Sequence, residues 1–248
     1  MHDDAIPAAT LIVWRDPTPD FADPRILVVE RSSRMAFAAG ATVFPGGRVD
    51  HADRRFAAEL GSPDEAAKIT AIRETVEESA VLVAADAAPE AGPELQRRLL
   101  AGDDFADAIA TMGLRLDLDL LVPFARWMPA FKQPRKFDTI FYLAPSPKGE
   151  WPTTPQPGEC VAAEWASPED ILKLIERGDA HAIFPTKRNL ERLARHRLLT
   201  AAIEDAKDHS LDTIIPWVED IDGVPHVRIP GDRGYPILSE PLTTAFRA

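Results

Sequence analysis

The chain has a single cysteine, Cys160, among 248 residues. One thiol excludes an intrachain disulfide and any zinc site built from several cysteines, and it suits a reducing compartment. Long apolar runs are also missing, and Met1-His2-Asp3-Asp4 carries no basic region ahead of a hydrophobic stretch. Neither a signal peptide nor a membrane span is expected, and the expected location is the cytoplasm. Phe246-Arg247-Ala248 is not a peroxisomal address. Positive charge is scarce: 28 Lys and Arg stand against 40 Asp and Glu, a formal net charge of -12. A general nucleic-acid binder needs a basic face to displace counterions, so no nucleic-acid partner is expected. Such a chain can still bind phosphates where a divalent cation supplies the missing positive charge. Internal repeats and low-complexity tracts are absent as well.

What is present suffices for a packed core: 45% hydrophobic and 27% charged residues. Residues 9–15 and 25–30 read as strands flanking a turn rich in Asp and Pro. Residues 41–44 form a short apolar strand stopped by Pro45-Gly46-Gly47, and 48–61 read as polar and irregular. Ser62-Pro63-Asp64-Glu65 is a capping box with Pro at the first helical position. Ile69, Ile72, Val76, Ala80 and Val83 keep a helical spacing, so a helix is expected from about 63 to about 83. Residues 86–116 read as a helical insert. Strands are expected at 120–128, 139–144 and 160–165, then a helix capped by Ser167 and ended by Gly178, and a longer helix over about 186–207. Asp222-Gly223, between apolar segments, predicts a hairpin turn. Strands interleaved with helices predict an α/β (α+β) fold with a mixed sheet between helix layers. Residues 1–208 are expected to form one domain. Residues 209–248 form a C-terminal extension, a hairpin packed on that domain or on a second copy, the latter giving a homodimer.

The stretch that points to chemistry is Arg73-Glu74-Thr75-Val76-Glu77-Glu78. Glu74, Glu77 and Glu78 are related by three and four residues and share one helix face, away from the Ile69/Ile72/Val76 stripe. Like charges four apart cost a helix about 0.2–0.5 kcal/mol per pair. A divalent cation reverses that cost, and Mg²⁺ in particular prefers carboxylate, water and phosphate oxygens. Without a cation, the same residues are an ordinary solvated face. Upstream, Phe44-Pro45-Gly46-Gly47 ends a strand with a glycine pair, which permits close backbone approach to a ligand or makes a plain turn.

Together these residues resemble the Nudix box, commonly written G-x5-E-x7-R-E-U-x-E-E-x-G-U, with U a bulky aliphatic. Glu65, seven residues, then Arg73 to Val81 match its second half, with Gly47 as its first Gly. Three departures stand out: 17 residues separate Gly47 from Glu65, Thr75 replaces an aliphatic, and Ala80 replaces the late Gly. The resemblance implies a Nudix-type α/β/α sandwich with a helical insertion, and a diphosphate hydrolase using Mg²⁺ or Mn²⁺. Glu74, Glu77, Glu78 and the Gly46 carbonyl would hold the metal, with Arg73 orienting a Glu. Glu65 reads as a helix cap and, by the resemblance, as Arg73's partner, two compatible roles. The general base is left open among Glu74, Glu78, Glu159 and Glu164.

Residues 27–47, LVVERSSRMAFAAGATVFPGG, are similar to a signature of the coenzyme A diphosphatase-like branch, L-L-T-x-R-S/A-x3-R-x3-G-x3-F-P-G-G. Arg31, Ser32, Gly40 and Phe44 to Gly47 fall in register, whereas Val29 and Ala36 depart from it. That resemblance implies a small nucleoside-diphosphate substrate: coenzyme A or an acyl derivative, with ADP-ribose, NADH and dinucleotide polyphosphates as alternatives. A non-catalytic nucleotide sensor on the same fold is the contrasting reading. Arg31, Arg34 and Arg135 suit phosphate oxygens, and Gly47 close approach. Phe44, Trp127 and Phe137 are either adenine-stacking or core aromatics.

Overall fold

The computed structural model describes residues 5–35, 38–129 and 136–245. Its centre is β1 (Ala5–Arg15), which runs parallel to β6 (Lys136–Pro145) over ten paired positions. β6 pairs antiparallel with β5 (Val122–Trp127). The other edge of β1 is shared: β2 (Arg25–Arg31) pairs at Trp14 and Arg15, and β4 (Gly46–Arg48) pairs at Ala8 to Thr10. β3 (Thr42–Val43) and β7 (Cys160–Ala166) both pair with β2, completing a mixed seven-stranded sheet.

Side chains alternate across this sheet as the two-residue strand period requires. Ala9, Leu11, Val13, Leu27, Tyr142 and Ala144 enter one apolar cluster; Ile12, Trp14, Ile26, Val28, Phe141 and Leu143 enter another on the opposite face. The first face is covered by α1 (His51–Glu59), α2 (Ala66–Ser79), α3 (Ala91–Leu100) and α4 (Phe105–Thr111). The second is covered by α5 (Pro168–Arg177), α6 (Phe184–Leu193) and α7 (Leu199–Lys207). The result is the expected α/β/α sandwich. The C-terminal residues add an antiparallel sheet of β8 (Trp217–Ile221), β9 (Val224–Arg228) and β10 (Ser239–Pro241), then α8 (Leu242–Ala245). Its turn places Asp222 and Gly223 both at positive φ, as a two-residue hairpin of the primed type demands. Ile214, Val227, Ile229 and Tyr235 are buried in the second cluster.

Four local expectations are corrected. Residues 48–61 are not irregular: α1 forms there because the Asp53 carboxylate caps the Asp50 N–H at 3.0 Å and Phe56 and Ala57 are buried. Ser62 makes no side-chain cap, since the Glu65 N–H donates to the Ser62 carbonyl at 2.9 Å while the Glu65 carboxylate turns to Lys68 (2.6 Å), and only a 3-10 turn at Pro63–Glu65 precedes α2. That helix stops at Ser79, not near 83, because Ala80 takes a left-handed conformation, φ 62°. The helix expected over 186–207 breaks into α6 and α7. The Leu199 N–H is capped by Asp16 at 2.7 Å, and Arg197 bonds the Ala22 carbonyl at 2.6 Å, so the chain re-aims against the β1–β2 turn.

Gly92, in α3, lies against the end of α2: a Cβ there would collide with the Ala80 carbonyl and sit 2.9 Å from the Trp151 ring. Gly92→Ala should therefore destabilise the chain by about 1–3 kcal/mol, the range for overpacking. Urea unfolding would show this as a lower midpoint at unchanged slope; an unaltered midpoint would mean that α3 is not seated there.

Candidate active site

The acidic face of α2 is partly withdrawn from solvent, with Glu74 and Glu77 half-buried. It lies under the glycine strand β4, and Arg73 and Glu78 are themselves buried. Two close approaches set this up. A Cβ on Gly46 would sit 2.5 Å from the Ala9 carbonyl, and one on Gly47 would overlap the Glu74 carboxylate. The glycine pair is thus a paired strand rather than the end of one, and glycine is required because the helix carboxylate occupies the space a side chain would need.

Arg73 is the hub. Its Nε and Nη2 hold Asp53 in a fork at 2.9 and 3.0 Å, while Nη1 reaches Glu74 at 2.9 Å and Glu77 at 3.1 Å. Asp53 also accepts from the Asp50 N–H at 3.0 Å and the Thr70 hydroxyl at 2.7 Å. Glu65 stands at the N-cap position of α2, but its side chain makes no cap bond and pairs with Lys68, not with Arg73; Asp53 is Arg73's partner. The signal for it lay in the spacing, because Gly47, five residues, then Asp53 is the spacing of the box's first half. The extra residues fall between Asp53 and Arg73, not between the glycine and its acid.

Glu78 points the other way. Its carboxylate accepts from the Gly46 N–H at 3.1 Å and lies 3.4 Å from Arg31 Nη1. Glu159 is half-buried at the end of a tight turn, where its carbonyl accepts the Ser32 N–H at 2.7 Å, next to Arg31. Glu164 is exposed on β7. Thr75 replaces an aliphatic without penalty because its hydroxyl donates to the Ala71 carbonyl at 2.7 Å. Ala80 stands where the box has glycine and takes the left-handed conformation that glycine adopts freely.

Other candidates fall elsewhere. Phe44 offers no face for stacking a base: it is buried, edge-on to Phe141 at 6.4 Å. Trp127 is likewise core, its indole N–H donating to Tyr235 at 2.9 Å. The Arg34 side chain is exposed, and Arg135 lies outside the described residues.

Electrostatically the cluster is short of positive charge. Its ion pairs set Asp53, Glu74, Glu77 and Glu78 against Arg73 and Arg31. Burial, reinforced by Glu77 and Asp53 and opposed by Arg73, pushes Glu74 up to about 7. Burial, then Glu74, pushes Glu78 up to about 8; burial raises Glu77 too. Hard oxygen donors with surplus negative charge suit a hard divalent cation. Among the described residues no three acidic, His or Cys side chains converge as a ready ligand cage; the oxygens are turned to Arg73, Arg31 and the Gly46 N–H. Cys160, buried beside Glu78, is held up to about 12 by burial and that charge, and is no nucleophile.

No protein-family model matches the chain. It is 27% identical over 289 aligned positions to the acyl-coenzyme A diphosphatase NUDT19 of Gallus gallus, covering 90% of this chain and 76% of that protein. The Homo sapiens protein of the same name is 25% identical, with 92% and 80% covered. The crystal structure of a Nudix hydrolase from Alicyclobacillus acidocaldarius is 32% identical and superposes with a TM-score of 0.68, covering 81% of this chain and 96% of that one. With that likeness in sequence and fold, the chain belongs to the Nudix hydrolases, enzymes that generally use divalent metals.

Two outcomes follow from this geometry. Asp53→Ala strands a buried Arg73 and should cost about 3–5 kcal/mol, whereas Glu65→Ala, losing a half-exposed pair with Lys68, should cost no more than about 1 kcal/mol. Equal losses in urea melts would refute the assignment of Asp53. Secondly, Glu74 and Glu78 bind protons more tightly in the folded state than in the unfolded one. Their contribution is fully present below 4.5, their ordinary value, and is lost as pH rises through about 7 and about 8. In EDTA the melting temperature should therefore fall between about pH 5 and about pH 8.5; a flat or rising profile would contradict the site electrostatics.

Proposed function

We propose that the enzyme hydrolyses the diphosphate of coenzyme A or an acyl-coenzyme A, giving 3′,5′-ADP and a 4′-phosphopantetheine product. The observation that carries this reading is the Arg73-centred carboxylate cluster packed beneath the Gly46-Gly47 strand. The substrate class is supported by the coenzyme A signature at 27–47 and by the names of the two curated relatives.

In this reading Glu74, Glu77, Glu78 and the Gly46 carbonyl would hold Mg²⁺ or Mn²⁺ once their oxygens turn from Arg73, Arg31 and the Gly46 N–H. When bound, the metal neutralises charge on the phosphoryl oxygens and acidifies water. Arg73 holds Glu74 and Glu77 in position, and Asp53 holds Arg73. Glu159 takes the proton from the attacking water; its half-buried turn beside Arg31 and Ser32 favours it over exposed Glu164 and over Glu74 and Glu78, whose oxygens are engaged. The water oxygen bonds to one phosphorus, the bridging P–O bond breaks, and the bridging oxygen leaves on the other phosphate. Arg31 is positioned to meet a substrate phosphate next to Glu78. A cytoplasmic location is part of the proposal; no helix among the described residues is long and apolar enough to cross a membrane.

A second reading keeps the chemistry and changes the substrate to ADP-ribose, NADH or a dinucleotide polyphosphate. It is favoured by Ala36, which stands where the coenzyme A signature has Arg, and by the core position of Phe44. Chromatography of reactions with each substrate, with Mg²⁺, Mn²⁺ or EDTA, separates the two. Release of 3′,5′-ADP from coenzyme A is expected, abolished by EDTA and lowered at least about 100-fold in Glu78→Gln. Above about pH 8, where the buried acid is ionised, that variant should melt no lower than the parent in EDTA, because it removes a buried charge. Cleavage of ADP-ribose alone would sink the coenzyme A reading. Binding of every candidate with cleavage of none would make the chain a sensor.

A further inference from the structure

The last turn of any α-helix leaves carbonyls without partners in the helix. In α2 these belong to the acidic segment, and two other parts of the chain satisfy them. The Thr154 N–H donates to the Ser79 carbonyl at 2.8 Å and the Gln156 N–H to the Glu78 carbonyl at 3.3 Å. The Glu77 carbonyl is taken by Gln96, a buried residue of the helical insert. Its amide nitrogen donates to Glu77 O at 2.9 Å and to Thr154 O at 2.8 Å. One side chain thus uses both its N–H donors to join the end of the acidic helix to the loop that leads to Glu159.

That loop is stiff beyond the joint. Pro155 and Pro157 flank Gln156 and fix their own φ angles. The Gln156 carbonyl accepts the N–H groups of Glu159 (3.3 Å) and Cys160 (3.0 Å), closing the turn that carries Glu159. Through this turn, which includes Gly158 at φ 90°, a displacement at Thr154 would reach Glu159.

We infer that Gln96 is a positioning residue, through which the helical insert holds the 154–159 loop against α2 and sets Glu159 over the carboxylate cluster. The inference rests on the proposed role of Glu159 and extends it to a residue that touches neither substrate nor metal. It also gives α3 a task beyond covering the core.

Gln96→Met keeps length and helix propensity but has no donor. The first readout needs no substrate: hydrogen exchange in full-length Gln96→Met. Amides of 151–160 should lose at least about tenfold in protection while those of 66–76 keep theirs. Unchanged protection in 151–160, or an equal loss in both segments, would overturn the clamp. The second readout is a double-mutant cycle with Glu159→Gln on coenzyme A, or on ADP-ribose if that is the one cleaved. Gln96→Met should lower kcat about tenfold or more with KM within about twofold, and should cost nothing further in the Glu159→Gln background. Additive losses would leave Gln96 a merely structural residue and overturn the inference. Wild-type turnover in Gln96→Met, with Glu159→Gln impaired, would overturn the clamp and leave the role of Glu159 intact. Wild-type turnover in Glu159→Gln would overturn both.

Discussion

The buried fork between Arg73 and Asp53 is the contact on which the site depends. A guanidinium in the interior is costly unless its donors are met with good geometry, and here two go to Asp53 and a third is shared by Glu74 and Glu77. Without that guanidinium the buried Asp53 and the half-buried Glu74 and Glu77 would each lose a positive partner. Its placement also dictates the strand above it: the Glu74 carboxylate, held by Arg73, occupies the volume that a side chain at position 47 would fill. The glycine pair, the capped start of α1 and the acidic helix are thus one construction. Asp53 serves two parts of it, capping α1 through the Asp50 N–H and gripping α2 through Arg73.

This construction explains why an insertion inside the motif does no harm. The additional residues leave after Asp53 and return at α2, so both ends of the detour are held by contacts that the detour does not alter. Closing a longer loop costs little, since each doubling adds only about 0.6 kcal/mol. Much of the detour is the remainder of α1, whose Phe56 packs edge-on to Phe105 of α4 at 5.8 Å. The additions at 54–65 and 86–116 therefore cover the same face of the sheet, and they leave Gly46, Gly47 and α2 in place.

Much of this was legible in the sequence where a pattern had one physical meaning. The apolar strands at 9–15 and 25–30, the Asp222-Gly223 turn and the Ser167 cap with Gly178 beyond it all correspond to the structure. What was missed had two competing meanings. Ser62 and Glu65 have capping-box spacing, but Lys68 one turn on offers Glu65 a charged partner. Asp53 has the right distance from Gly47, but Glu65 has the right distance from Arg73, and only the fold decides between them. Phe44 precedes the glycine pair in a ligand-like motif, yet strand alternation sends it into the core against Phe141. The break at 194–198 has no glycine or proline to announce it, because it is made by Asp16 and the Ala22 carbonyl, far away in sequence.

The same cluster departs from the economy of the rest of the molecule. In the C-terminal half buried acids and bases are balanced in number: Arg192 meets Asp205 at 2.7 Å, and Arg188 and Lys187 face Glu191 and Glu240, although burial pushes Glu191 too up to about 7. On the acidic face of α2 they are not, and burial with mutual repulsion lifts Glu74 and Glu78 well above the ordinary carboxylate range. Selection for stability alone would replace at least one of them with an amide, which fills the same space without the charge. Local rules are broken where a compensating gain exists, commonly at functional sites. Here the gain is the proposed divalent cation, and the bond between the Glu78 carboxylate and the Gly46 N–H keeps one acid in place without neutralising it. Stability given up in the free protein and affinity for a hard cation are then two consequences of one surplus of charge.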